Sequence, residues 1–266
     1  MPRLGLHDID LRLSGVEYNG GVQLNAPGAP MKTVKQVMSA LKKKGSAQTR
    51  KTFARHGAPE NMFGVKIADL KVIAKQIKGN QALAMELYET GNSDAMYLAG
   101  IVADGKAMSK KELNDWCRTA NWHMIAEYSL PGVAHENPHA RTLALKWIRS
   151  KKDHIAAAGW NTYSGLVATK PDAELDLEEI KMLLEQIAAS IHECGERVKY
   201  TMNGFVISVG GYVKPLSAKA KSVAKKIGKV SVEMGETACK VPLATDYIAK
   251  MENAGRAYKK RKTIKC

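Results

Sequence analysis

Trp122, His123 and Glu127 fall within one short stretch, Asn121-Trp122-His123-Met124-Ile125-Ala126-Glu127-Tyr128. On a helix, His123 and Glu127 stand four apart and share a face. Trp122 lies about 100° round from His123, at the edge of that face. An aromatic ring beside a carboxylate suits a cationic group or a sugar carried on a polyanion. The plainer reading is a core tryptophan with a solvated glutamate, and the residues alone leave both open.

Charge supports a polyanion. The chain has 266 residues, with 41 Lys or Arg against 26 Asp or Glu, a net charge of +15. An excess of this size points to nucleic acid, whose condensed counterions are released when lysines and arginines replace them. No apolar run reaches the ~20 residues of a membrane span, which with the composition reads as a cytoplasmic protein, nucleoid-associated if bacterial. Cys117, Cys194, Cys239 and Cys266 are widely spaced and form no CxxC pair, so they read as reduced thiols with no zinc framework. No cofactor motif is present, and no metal is expected.

The elements that must position the central residues are helices. Residues 1–30 mix charges with Gly and Pro and read as a disordered leader. Val34, Val37, Met38 and Leu41 then repeat at helical spacing over 31–44. A short basic helix over 46–56 ends at Gly57, a C-terminal cap. Further helices are expected at 66–78, 81–90, 94–104, 110–120 and 121–128, the last ended by Pro131. Asn137-Pro138 reads as a cap and first turn of a helix carrying Leu143, Leu145, Trp147 and Ile148. Others fit 153–167, 177–194, 197–209 and 217–228. Helices joined by short turns and paired every 35–45 residues fit an all-α solenoid of HEAT-like repeats over 31–230, followed by a basic tail at 231–266.

Two segments concentrate positive charge. Between Met31 and Pro59 there are eight Lys or Arg and no acid. Lys42, Lys43, Lys44, Arg50, Lys51 and Arg55 are the expected phosphate contacts there. Residues 214–266 hold fourteen Lys or Arg against four Asp or Glu. Lys259, Lys260, Arg261 and Lys262 form a cluster beside Tyr258, read as phosphate-binding in preference to a merely solubilising tail. Removing residues 259–266 is then expected to weaken DNA binding with little loss of stability.

His135-Glu136-Asn137-Pro138-His139 matches the zinc-protease pattern HExxH. That pattern needs a continuous helix, and Pro138 would remove a hydrogen bond and clash inside one, so no zinc site is expected. The glycines at Gly204, Gly210 and Gly211 suit close helix packing or a turn.

Several segments resemble the AlkD-like DNA alkylation repair family. Phe63-Gly64-Val65-Lys66-Ile67-Ala68-Asp69-Leu70 is similar to its early turn into a helix, with Ala68 where proline is common. Trp122 to Glu127 resembles its central motif, a tryptophan pair followed by an aspartate. Lys146-Trp147-Ile148 resembles the end of its next helix. The resemblance covers roughly residues 31–230 and implies a curved solenoid with a positive concave face that excises N3- or N7-alkylated purines from double-stranded DNA. A carboxylate near the sugar would stabilise the developing oxocarbenium ion, and aromatic faces would hold the cationic nucleotide. Glu127 would be that carboxylate, with Trp122 and His123 as the wall. The chain departs from the motif: His123 replaces the second tryptophan and Glu127 the aspartate. The family's arginine falls near Ala158 and its later tryptophan near Gly204, with Trp160 and Arg197 close by in sequence. Three functions stay open: a monomeric DNA glycosylase, a module that binds damaged or branched DNA without cleaving it, or a protein-interaction solenoid whose basic tail is incidental. Between the first two, a Trp122 buried against neighbouring helices would favour the binding module.

Overall fold

The computed structural model describes residues 30–235, 237 and 240–265. The expected leader lies outside the described residues except for Pro30, as do Cys239 and Cys266. The described residues form helices and connecting turns with no strand. The helices are α1 (Val34–Lys44), α2 (Ala47–Arg55), α3 (Ile67–Gln76), α4 (Gln81–Glu89), α5 (Ser93–Val102), α6 (Lys110–Thr119), α7 (Leu130–Ala134), α8 (Ala140–Ile148), α9 (Asp153–Thr169), α10 (Leu177–Ser190), α11 (Glu196–Tyr212), α12 (Ser217–Ile227) and α13 (Ala244–Asn253). A π turn at Ile125–Ser129 leads into α7.

The helices stack as a HEAT-like α-solenoid of two rows. An inner row runs α5, the π turn with α7, α9, α11 and α13. An outer row runs α4, α6, α8, α10 and α12, while α1 to α3 close the N-terminal end. The reason is the apolar stripe each helix carries, which only a neighbour can bury. Leu113 and Trp116 on α6 and Leu143 and Trp147 on α8 lie in one core cluster, and Leu183, Leu184 and Ile187 on α10 lie in a second. The inner helices are covered on more sides: α9 buries Trp160 and Tyr163, and α11 buries Phe205 and Val206.

Local chemistry sets the boundaries. Thr33 and Gln36 form a capping box that starts α1 three residues later than the apolar spacing suggests. Ser109 and Glu112 do the same for α6. The turn Phe63-Gly64-Val65 is tied down by Asp94. Its carboxylate accepts the backbone N–H groups of Phe63 (2.6 Å), Gly64 (3.0 Å) and Val65 (2.9 Å). Gly64 sits at φ +76°, where a side chain would meet the backbone of Arg50.

Three expectations are corrected. Pro131 does not end the central helix but lies in the first turn of α7, after the π turn. It lacks an N–H, so it cannot donate to the carbonyl four residues back, which is that of Glu127. Asn161 Nδ2 from α9 supplies that donor at 2.7 Å, while the Leu130 N–H reaches the Ile125 carbonyl and opens the π turn. Second, α8 starts at Ala140, with Asn137 in the turn before it. Asn137 donates to the carbonyls of Gly105 and Met108 (2.7 Å each) and accepts from the His139 N–H (2.9 Å). A buried amide with four hydrogen-bonding sites is used to join two repeats rather than to cap one helix.

The third correction is the C-terminal segment. After α13, residues 254–265 double back over the C-terminal ends of the inner helices. Tyr258 N–H donates to the Gly211 carbonyl (2.7 Å) and Arg261 N–H to that of Ala168 (2.8 Å). Lys260 Nζ reaches the Val167 carbonyl (2.8 Å), and Lys265 Nζ reaches that of Ala103 (2.6 Å). The last carbonyls of a helix have no partner within it and carry the negative end of its dipole, so lysines and backbone donors of this strap cap α11, α9 and α5 in turn. Ile264 is buried, and Gly165 leaves it room: a Cβ there would lie 2.5 Å from Ile264 Cδ1. The segment read as a phosphate-binding basic tail packs, over residues 254–265, against the solenoid.

Candidate nucleic-acid interface

The inner row has two ends with different chemistry. The strap covers the C-terminal ends. At the N-terminal ends lies a cleft of about 650 Å³, lined by Arg55, His56, Trp122, His123, Glu127, Asp153, His154, Arg197 and Met234 among others. Asp153 and His154 open α9, and Arg197 lies in the first turn of α11. The cleft thus gathers Trp122, His123 and Glu127, as their spacing suggests, but their states differ from those of a catalytic wall.

Glu127 is shut away. Its side chain has no solvent exposure and forms a two-pronged ion pair with Arg197. Arg197 Nε donates to Oε1 at 2.6 Å and Nη2 to Oε2. Planar guanidinium matches carboxylate in this fork geometry. The Arg197 side chain is 22% exposed and lies over the Tyr200 ring, 4.6 Å from its centre. Burial alone would lower the Arg197 pKa, but the charge and hydrogen bonds of Glu127 outweigh it and raise it above the ordinary arginine value. The carboxylate is therefore neutralised by a permanent cation.

Trp122 is also buried, at 8% exposure. Its Nε1–H donates to the His56 carbonyl at 3.0 Å, and Phe53 packs against its ring at 5.2 Å. It ties the central segment to α2 and leaves little of its surface to the cleft. His123 meets that ring edge-on at 5.4 Å. Burial, with the nearby charges of Arg197 and His56, pushes the His123 pKa down from 6.5 to about 3, so the imidazole is neutral at physiological pH.

This shift predicts an acid limit. A histidine depressed in the fold is neutral there while the unfolded chain takes up its proton near pH 6.5, so stability is complete above that pH and falls as pH drops toward 3. His123→Phe should flatten the slope of unfolding free energy against pH between 6 and 4, followed by urea titration at each pH. An unchanged slope would show that other groups set the acid limit.

The basic residues fall into two groups. Lys42, Lys43, Arg50, Lys51 and Arg55 on α1 and α2 are exposed, whereas Lys44 pairs with Asp69 at 3.2 Å. In the strap, Lys259 and Lys262 are exposed. Lys260 is engaged by Asp172 at 2.8 Å as well as by Val167, and Arg261 is half-buried with its backbone N–H on Ala168. Ala158 is fully buried in the core, so the position aligned with the family's arginine has no access to the cleft. Gly204 faces open space beside Tyr200, and Trp160 is fully buried against Phe205.

Sequence reasoning did not find Arg197 as the partner of Glu127. They are seventy residues apart, and the only signal was a lone arginine in the first turn of a helix two repeats on. It also did not single out His154, or Lys151 and Lys152, which are exposed just before α9 at the cleft's side. The motif-like stretch at 135–139 is consumed structurally: His135 Nδ1 contacts the Pro131 carbonyl (3.1 Å) and Glu136 Oε2 accepts from Lys265 Nζ (2.7 Å). Among the described residues no group of three or more His, Cys, Asp or Glu could hold a metal ion, and no helix is long and apolar enough to cross a membrane.

Comparison with known proteins agrees with this architecture. Two Listeria proteins, the uncharacterized proteins Lin0241 of Listeria innocua and Lmo0209 of Listeria monocytogenes, are each 34% identical over 229 residues, 84% of this chain and 99% of their own. A solved structure is similar at a TM-score of 0.82 and 38% identity, covering 88% of this chain and 100% of its own. It is described as "A new family of proteins related to the HEAT-like repeat DNA glycosylases with affinity for branched DNA structures". Residues 37–220 match the family described as "DNA alkylation repair enzyme". With that match over most of its length and those relatives over most of theirs, the chain belongs to the DNA alkylation repair enzyme family.

Proposed function

We propose that this protein is a monomeric DNA-binding module that recognises branched or distorted double-stranded DNA and does not excise bases. The observation that carries the reading is the Glu127–Arg197 pair: a carboxylate with no exposed side-chain surface, held by a cation. Stabilising an oxocarbenium ion needs negative charge aimed at the sugar, and this charge is already spent. Trp122, buried against α2, is likewise not presented as a wall for a cationic base. The described relative with affinity for branched DNA supports the choice of partner. A DNA partner supports a cytoplasmic location, nucleoid-associated if bacterial.

Exposed Lys42, Lys43, Arg50, Lys51 and Arg55 would contact phosphates from the N-terminal repeats, with Lys259 and Lys262 adding charge from the strap. Lys260, Arg261 and Lys44 are occupied within the fold and would contribute less. Fluorescence anisotropy with a four-way junction and a duplex of equal length, measured across a salt series, tests this. The expected result is a preference for the junction and a log–log salt slope of several units. Reversing Lys43, Arg50 and Lys51 to Glu should reduce that slope by roughly one per removed phosphate contact. Absence of binding to either DNA at low salt would remove the reading.

A further inference from the structure

The cleft at the N-terminal ends of the inner helices is large enough for one nucleotide unit. Its volume of about 650 Å³ lies within the roughly 300–1,000 Å³ of sites that enclose a small ligand. The 233–235 turn narrows the mouth. Met234 Sδ lies 3.6 Å from Arg197 Nη1, the Glu233 N–H donates to Glu196 Oε2 at 2.6 Å, and a Cβ at Gly235 would lie 2.8 Å from the Arg55 carbonyl oxygen. The connection between α12 and α13 therefore touches the end of α2 across the opening.

The lining suits a neutral ring better than a phosphate. Arg55 and Arg197 face Glu127, Asp153 and Glu233, and Arg197 is committed to Glu127. That leaves no surplus of positive charge inside. The walls are the uncharged His123 imidazole, Ala126, Trp122 and the Met234 thioether, a soft group that packs well on aromatic rings. His154 Nε2 is buried with no hydrogen-bond partner among the described residues. A buried polar atom left so is costly, and a ligand that supplies its partner recovers that cost.

We propose that the cleft takes a single unpaired nucleobase at a branch point or bulge, its ring against His123 and Met234 and its edge toward His154. This rests on the DNA-binding function proposed above and locates its selectivity. Taking a base out of the stack costs least where it is already unpaired, so a protein with such a cleft prefers branched or bulged DNA to a continuous duplex. The phosphates stay outside, next to Arg55 and the exposed basic residues of α1 and α2.

The test uses the full chain and a duplex with one bulged 2-aminopurine, compared with the same strand fully paired. End-label anisotropy reports binding, and 2-aminopurine emission reports the surroundings of the base. The expected result is a change in emission on saturation for the bulge and none for the paired base. Ala54→Trp, at an exposed position on α2 that lines the cleft, should fill it. His154→Ala should remove the polar contact. Each should lower the preference for the bulge by about tenfold, roughly 1.4 kcal/mol, with duplex affinity unchanged. Unaltered emission at saturating anisotropy, or a preference retained in both variants, overturns the proposal. No anisotropy change with either DNA overturns the DNA-binding function itself, and the proposal with it.

Discussion

Arg197→Met lowers the stability of the fold by about 3 kcal/mol. Breaking a buried ion pair from one side costs roughly 3–5 kcal/mol, because the remaining charge is left without a partner. The lower end applies here, since the Arg197 side chain keeps some exposure while that of Glu127 has none. The variant also loses the stacking over Tyr200. Glu127→Gln, which keeps shape and much of the hydrogen bonding, should cost less. The double variant Glu127→Leu/Arg197→Met should recover most of the loss, as replacement of both partners by apolar groups often does. Urea unfolding of the three variants decides this. A loss below about 1 kcal/mol in Arg197→Met, the size seen for exposed pairs, would show that the pair does not organise this part of the fold.

Removing residues 259–266 lowers stability by roughly 3 kcal/mol or more. Fully burying an isoleucine contributes about 1.5–3 kcal/mol, and Ile264 is 9% exposed. The truncation also strips the carbonyls of Ala168, Val167 and Ala103 of their donors and leaves Glu136 without Lys265. Each lost net hydrogen bond adds about 1 kcal/mol. Composition alone leads to the opposite expectation, an affinity loss with little change in stability. Chemical denaturation of the truncated chain separates the two. Unchanged stability with weakened DNA binding would mean that the strap acts on DNA rather than on the solenoid.

The fold was legible because helical periodicity and short turns recur along the whole chain, and because Phe63 to Leu70 and Trp122 to Glu127 carry a family pattern. The boundaries were less legible where side chains from another repeat decide them. Pro131 reads as a stop, yet Asn161 supplies the donor that Pro131 withholds, and the chain continues through a π turn. The strap was misread for a similar reason. Lysines look alike in sequence whether they face phosphates or the carbonyls at helix ends, and only the position of Ile264 and Gly165 separates the cases. The site was partly legible: spacing brings His123 and Glu127 to one cleft. It could not tell that a residue two repeats away neutralises Glu127, because helix periodicity speaks for one element and says nothing of the charge opposite.

The most direct measurement is release of 7-methylguanine and 3-methyladenine from methylated duplex DNA by the purified protein, made alongside binding to the same DNA. With Glu127 sealed by Arg197 and Trp122 buried against α2, the predicted result is binding with no base release above the spontaneous rate, in the parent and in Glu127→Gln alike. Release that the parent shows and Glu127→Gln loses, by roughly 10- to 1000-fold as for removal of one preorganised electrostatic group, would contradict the account and make Glu127 a catalytic carboxylate.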